Sequence, residues 1–328
     1  MMDLADALAR YGPAATGAPP TLAEAEAYCR HLAHSHYENF TVISRLVPRH
    51  LVQPLCNLYA YCRWADDLAD ETQALGGAPL AASVAALSEH RADLATRRAV
   101  ALALLDWWEA QLTALYRGEE LRHPVFVALA KTVRQFGLPR QPLADLLVAM
   151  RRDQVQHRYE TLEELLSYCE KSANPVGRLV LHLGGGADGQ QEHWSDCLCT
   201  GLQLANFCQD VRRDWERGRV YLPQEACRRH GWDEARFAAG RCDDHFRRLL
   251  AEMVDAAAAH LEAGRPLADR VAADLRLSVR LFYAGGQAIL AAIRRRGYDV
   301  WSARPALGRW QKGWLLARTL LFWTRSAA

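Results

Sequence analysis

No two of the nine cysteines form a C-x-x-C pair, and their positions (29, 56, 62, 169, 197, 199, 208, 227, 242) make no dense framework. That excludes a zinc ribbon, a thioredoxin-like redox pair and a disulfide scaffold, and leaves reduced thiols in a cytosolic protein as the expectation. Long apolar runs are also missing, and none reaches the roughly 20 residues of a membrane span. The nearest, GWLLARTLLFW over residues 313–323, is interrupted by Arg318. Flanked by Lys312 and Arg325, it reads either as an interfacial helix or as a C-terminal helix packed on the core. The first twenty residues lack a basic start and an apolar centre, so no signal peptide is read and Met1–Pro20 is expected as a poorly ordered leader. Neither sign of charge is in excess. Lys plus Arg number 40 against 38 Asp plus Glu, which gives no global electrostatic case for nucleic acid. Finally, no segment of useful length alternates with period two, so a sheet has no sequence support.

What is present is helix. Ala and Leu dominate, and apolar residues recur at helical spacing over Leu87–Leu115, Val125–Phe136, Leu143–His157, Leu162–Leu183, Leu198–Trp215, Asp243–Ala263 and Ala268–Arg296. The breaks carry Gly and Pro: 76–79, 137–139, 184–189 and 264–266. GGGADG at 184–189 follows no predicted strand and is a loop, not a dinucleotide fingerprint. No linker separates halves of different composition. With half its residues apolar, the chain reads as one all-α domain of about ten helices over residues 21–328.

The stretch CRWADDLADE, Cys62–Glu71, packs Asp66, Asp67 and Asp70 beside Arg63. Leu55, Leu58, Cys62, Ala65 and Ala69 form the expected apolar stripe, and the charged residues share the neighbouring face. Carboxylates at a helix C-terminus meet the negative end of the dipole and repel one another, so something should neutralise them. A second site has the same design. In QLANFCQDVRRDWERGRVYLP, residues 203–223, Gln203, Asn206, Asp210 and Asp214 fall on one polar face beside an edge of Leu204, Phe207, Val211 and Trp215. Arg212, Arg213, Arg217 and Arg219 surround them. One D-x-x-x-D helix is a weak signal; two, each with arginines, point to diphosphate handling. Mg²⁺ takes carboxylate oxygens and fills its other positions with water and phosphate. Metal ions stabilise the leaving charge as a C–O bond breaks, and Arg binds phosphate oxygens in bidentate fashion. The carbon left behind is a cation that needs a dry cavity with aromatic walls, which a helical bundle can hold.

These motifs resemble those of the squalene/phytoene synthase family, the head-to-head isoprenoid synthases, over residues 34–300. YCRWADDLADE and NFCQDVRRDWERGRVYLP are similar to the family's two aspartate-rich motifs. YCEKSANPVGRLVLHLGG (Tyr168–Gly185) takes the place of its Y-C-x-x-x-A-x-x-V-G segment, and HYENFTVISRLVPRHL (His36–Leu51) that of its diphosphate- and chain-binding segment. The resemblance implies an isoprenoid-synthase-type helical bundle with a central apolar cavity. Three departures are similar to bacterial hydroxysqualene synthases of hopanoid pathways: Gln209 where family members usually carry Arg, Ser172–Gly177 reading SANPVG, and Glu38-Asn39-Phe40. That likeness implies Mg²⁺-dependent ionisation of presqualene diphosphate and capture of the rearranged cation by water, a carbon–oxygen lyase reaction without NADPH. A synthase condensing two prenyl diphosphates is the alternative, and a non-catalytic assembly protein of the same fold a remote one.

The resemblance also implies roles. Asp66, Asp67, Asp70, Asp210 and Asp214 would hold two or three Mg²⁺ ions, Asp67 as the weakest ligand. His36, Phe40, Arg63, Gln203, Asn206, Arg219 and Tyr221 would bind the substrate and its diphosphate, although Arg63 also reads as an ion-pair partner of Asp67 and His36 as a structural residue. Tyr168 would stand beside the reacting carbons, or be a core tyrosine. Asn174 would aim a water, or cap a helix before Pro175. Arg294-Arg295-Arg296 reads as a solvated helix end, with anionic lipid as the other reading. The expected partners are a small isoprenoid diphosphate, the enzymes acting before and after in squalene synthesis, and the inner face of the membrane by peripheral contact of residues 305–328.

Overall fold

The structure is a computed structural model that describes residues 4–36, 47–70 and 94–308, together with Gly313 and Thr319. It is all-α. Among the described residues the β-type pairing is one parallel bridge, Arg158 to Val220. The chain divides into two compact units, Met1–Val155 and Gln156–Ala328. The sequence reading expects one domain over residues 21–328. No change of composition marks the boundary, because it falls in a turn rather than in a linker.

The first unit contains α1 (Leu4–Tyr11), α2 (Leu22–His36), α3 (Arg49–Asp70), α4 (Leu94–Arg117), α5 (Pro124–Phe136) and α6 (Arg140–Arg152). Within the segment expected as a poorly ordered leader, residues 4–11 form α1. Leu4, Ala7 and Leu8 recur at helical spacing and are buried, which is enough to fix an eight-residue amphipathic helix. Helix α3 is the unit's centre. Its Asn57 donates to the Ala128 carbonyl (3.1 Å) and to Thr132 Oγ1 (2.9 Å) on α5. Tyr61 donates to the Leu143 carbonyl of α6 at 2.9 Å. Trp64 stacks on Trp108 of α4 at 5.4 Å between ring centres. These bonds satisfy buried polar groups and fix the rotation of α3 about its axis. A cavity of about 670 Å³ lies beneath the leader, lined by Tyr11, Pro19, Tyr28, Trp107 and His123; none of the predicted site residues lines it.

The second unit contains α7 (Leu162–Ser172), α8 (Asn174–Leu183), α9 (Gly189–Glu216), α10 (Gln224–Arg229), α11 (Glu234–Ala239), α12 (Asp244–Gly264), α13 (Leu267–Arg270) and α14 (Ala273–Arg295). The fourteen described helices exceed the expected ten or so, partly because two long predicted helices break. Leu162–Leu183 breaks at Ala173 ahead of Pro175, whose ring cannot continue a helix from the preceding turn. Ala268–Arg296 breaks at Val271, which is extended. Helix α9 opens on a capping box between Asp188 and Gln191 and packs along α12. No described helix is long and apolar enough to cross a membrane. Apart from Gly313 and Thr319, the C-terminal tail predicted to meet the membrane lies outside the described residues beyond Gly308.

Candidate active site

Each unit carries one acidic cluster. In the first, α3 buries Leu51, Leu58, Tyr61, Trp64, Ala65 and Leu68. Leu55 and Cys62, expected in the core stripe, are half-buried. The large aromatic faces of Tyr61 and Trp64 have the greater area to bury, and they turn the helix toward α4 and α6. Arg63 Nε donates to Asp67 Oδ2 at 3.0 Å, its Nη2 pairs with Oδ1 of the same carboxylate, and Nη1 stands 3.8 Å from Asp66 Oδ2. The Asp66 side chain is 49% exposed and that of Asp67 15%. Asp67 is therefore the arginine's partner, while Asp66 and Asp70 lie toward solvent on the same side of the helix. Gln154 donates to the Ala69 carbonyl at 3.1 Å and ties down the end of α3. His36 ends α2, but its side chain and all of Phe40 lie outside the described residues.

The second cluster sits on the last turns of α9. Leu204, Phe207 and Val211 are buried as expected, Gln203, Asp210 and Asp214 half-buried, and Asn206 exposed. Burial pushes the Asp214 carboxyl up to about 7, the neighbouring Asp210 charge adds to the rise, and Arg219, Arg217 and Arg213 oppose it. Helix α9 ends in a Schellman-type turn: Gly218 is left-handed (φ 77°) and the Arg219 amide donates to the Asp214 carbonyl at 2.8 Å. The following Arg219–Leu222 run is pinned to residues 157–160 through Val220 N–H to the His157 carbonyl, 2.9 Å, and Arg158 to the Gly218 carbonyl, 2.6 Å.

That pinning brings Tyr221 onto Phe207, stacked at 4.0 Å, and places Tyr168 of α7 against both, at 5.8 Å and 6.2 Å. Tyr159 completes the group, 5.4 Å from Tyr168. Two residues predicted from distant motifs, Tyr168 and Tyr221, thus meet in one aromatic wall adjoining the second acidic cluster. Asn174 is 4% exposed and accepts from Thr200 Oγ1 of α9 at 3.0 Å. The cap of α8 makes no side-chain hydrogen bond, so Asn174 bridges two helices rather than capping one.

Sequence reasoning missed Arg304. Its Nε and Nη2 donate to Asp210 Oδ1 (2.5 Å) and Oδ2 (2.7 Å), and Nη2 also reaches Gln209 Oε1 at 3.1 Å. Gln209 Nε2 donates to the Pro305 carbonyl, and Arg212 donates to the Trp301 carbonyl at 3.1 Å. Nothing local marks Arg304 as a partner of a residue so far upstream.

The donor set fits Mg²⁺. Both clusters offer hard carboxylate oxygens at i,i+4 spacing, Asp214 is partly buried beside a like charge, and a guanidinium already sits as a counter-cation on Asp210. Among the described residues no three His, Cys, Asp or Glu side chains gather into a ready-made cage. A pair of carboxylates in each cluster would suit an ion that keeps waters and takes phosphate oxygens from its substrate. All nine cysteines are free thiols, and burial raises the pKa of those in the core, such as Cys208. They offer no competing soft-metal site.

A helical fold with two D-x-x-x-D pairs and an aromatic wall is consistent with the class of enzymes that act on isoprenoid diphosphates. The squalene/phytoene synthase family model matches residues 33–311, and the chain belongs to that family. It is similar to a hydroxysqualene synthase of Rhodopseudomonas palustris, 33% identical over 74% of each chain. A phytoene synthase of Arthrospira platensis is 28% identical over 90% of this chain and 92% of its own. Among solved structures, squalene synthase HpnC from Alicyclobacillus acidocaldarius superimposes with a TM-score of 0.73 at 40% identity, covering 85% of this chain and 96% of that one.

Proposed function

We propose that this protein is a hydroxysqualene synthase, converting presqualene diphosphate and water into hydroxysqualene and diphosphate. The observation that carries the reading is the 33% identity to a hydroxysqualene synthase, higher than the 28% to a phytoene synthase, with the 40% identity to the HpnC structure beside it. The residues in place are consistent with it. Asp66, Asp70, Asp210 and Asp214 would hold Mg²⁺, with Asp67 engaged by Arg63; bound, the metal stabilises the departing diphosphate charge. Arg219 would contact phosphate oxygens, and Arg63, whose Nε and Nη2 are taken by Asp67, would join it through Nη1. As the C–O bond breaks with its electrons leaving on diphosphate, Tyr168, Phe207 and Tyr221 would stabilise the cyclopropylcarbinyl cation through their π-electrons. Water then adds its oxygen to the rearranged cation and loses a proton to solvent. This ending needs no reductant, whereas hydride capture would require NADPH. Thr200 donates to Asn174 Oδ1, and the NH₂ of that amide would be the group that holds the water. A C30 product that enters water poorly makes peripheral membrane contact part of the same reading.

A second reading, condensation of two prenyl diphosphates, is favoured by the longer coverage of the phytoene synthase relative. A product assay separates the two. Purified protein with Mg²⁺ is given presqualene diphosphate, and separately farnesyl diphosphate, each with and without NADPH. Hydroxysqualene from presqualene diphosphate alone is expected; a condensed product from farnesyl diphosphate would transfer the chain to the second reading. In the same assay Asn174→Ala should lower the hydroxysqualene share of the products, and an unchanged share would remove Asn174 from the mechanism.

A further inference from the structure

The segment 301–305 lies across the second acidic cluster and is tied there by three side chains of α9. Arg212 holds the Trp301 carbonyl, Gln209 holds the Pro305 carbonyl, and Asp210 holds Arg304 in a two-oxygen ion pair. Gln209 is buried (5% exposed) and acts twice, donating to Pro305 and accepting from Arg304. This gives a physical meaning to the most conspicuous departure in the second motif. An arginine at 209 has five donors and no acceptor; it could not receive Arg304 and would repel it. Arg213, by contrast, stands 3.7 Å from Asp210 with its side chain 63% exposed, a loose solvated neighbour.

We propose that Gln209 is a positioning residue that seats Arg304 on Asp210, so that this guanidinium competes with a divalent ion for the Asp210 carboxylate. The inference rests on the reading of Asp210 as a metal ligand. It adds that the affinity of the second cluster for metal is set by a competing side chain from the 301–305 segment. The two-oxygen geometry makes the competition specific: one lone pair of each carboxylate oxygen is engaged, so a metal at Asp210 has fewer lone pairs to take and meets the repulsion of a guanidinium held in place.

The test is binding of Mn²⁺ to the full-length protein, followed by electron paramagnetic resonance without substrate. Arg304→Gln should bind Mn²⁺ about tenfold more tightly, the scale of one charge-assisted, partly exposed ion pair. Gln209→Ala changes no charge and should still tighten binding about two- to threefold by loosening Arg304. Arg213→Gln removes the same charge from nearby and should change binding less than twofold. Circular dichroism confirms folding of each variant. If Arg213→Gln matches Arg304→Gln, general electrostatics explains the gain and the proposal falls; it falls too if Gln209→Ala leaves binding unchanged. Asp210→Asn separates the two levels. Weaker Mn²⁺ binding in that variant without a gain in Arg304→Gln sinks the competition alone, whereas unchanged binding in Asp210→Asn sinks the metal-ligand reading beneath it.

Discussion

His123 is 2% exposed, with its ring edge-on to Trp64 at 4.5 Å and to Trp108 at 4.8 Å. Its Nδ1 accepts from the Val125 amide at 3.2 Å and caps α5, which leaves the proton on Nε2, where no hydrogen-bond partner stands among the described residues. Burial without a counter-charge lowers its pKa from 6.5 to about 3. The folded chain therefore binds fewer protons than the unfolded chain below the unfolded pKa. Stability is full above that value and falls as pH drops toward the folded one, by up to ~1.4 kcal/mol per pH unit. His123→Asn keeps a capping side chain and removes this proton. Urea unfolding followed by tryptophan fluorescence should show wild type losing about 1.4 kcal/mol more than the variant between pH 7.5 and pH 5.5; equal losses would contradict the assignment. At this scale the sequence was readable where chemistry clusters locally, as in Arg63 with its aspartates. It was silent on His123 and Arg304, whose partners are chosen by tertiary packing.

Helices are the level at which the sequence speaks most clearly, since a 3.6-residue period is a local property. The segments Val125–Phe136 and Asp243–Ala263 match α5 and α12 to within a residue at each end. What periodicity cannot show is how closely two helices approach. Helices α9 and α12 cross at paired glycines. A Cβ on Gly201 would stand 2.7 Å from the Leu261 amide nitrogen, and one on Gly264 would stand 2.6 Å from the Leu198 nitrogen. Both obstacles are backbone and cannot swing aside. Gly201→Ala and Gly264→Ala should each destabilise the protein by about 1–3 kcal/mol, the overpacking cost exceeding alanine's helix-propensity gain of about 1 kcal/mol. Gly285 on α14 has open space around its Cβ position, so Gly285→Ala should instead stabilise by up to about 1 kcal/mol. Thermal melts of the three variants check the order, and a stabilised Gly201→Ala would show that the crossing has slack. This crossing orients the acidic end of α9, so the same two variants are expected to lower metal affinity as well as stability.

Across the whole molecule the two acidic clusters belong to different compact units, Asp66 and Asp70 to one, Asp210 and Asp214 to the other. The duplication was legible because each motif is local; the division into units was not, because it follows contacts and leaves no trace in composition. If both clusters contribute to diphosphate binding, each should add to the stabilisation that the ligand gives. Inorganic pyrophosphate with Mg²⁺ at about one hundred times Kd should add ~2.7 kcal/mol to unfolding, seen as a raised thermal midpoint. Chelation with EDTA should abolish the shift, since the carboxylates alone would repel pyrophosphate. Asp66→Asn and Asp210→Asn should each reduce it, although they alter separate units and neither removes a core contact. A shift lost in one variant and intact in the other would assign the diphosphate to a single unit. A shift that survives EDTA would place the anion on arginines such as Arg219 and take the metal out of ligand binding.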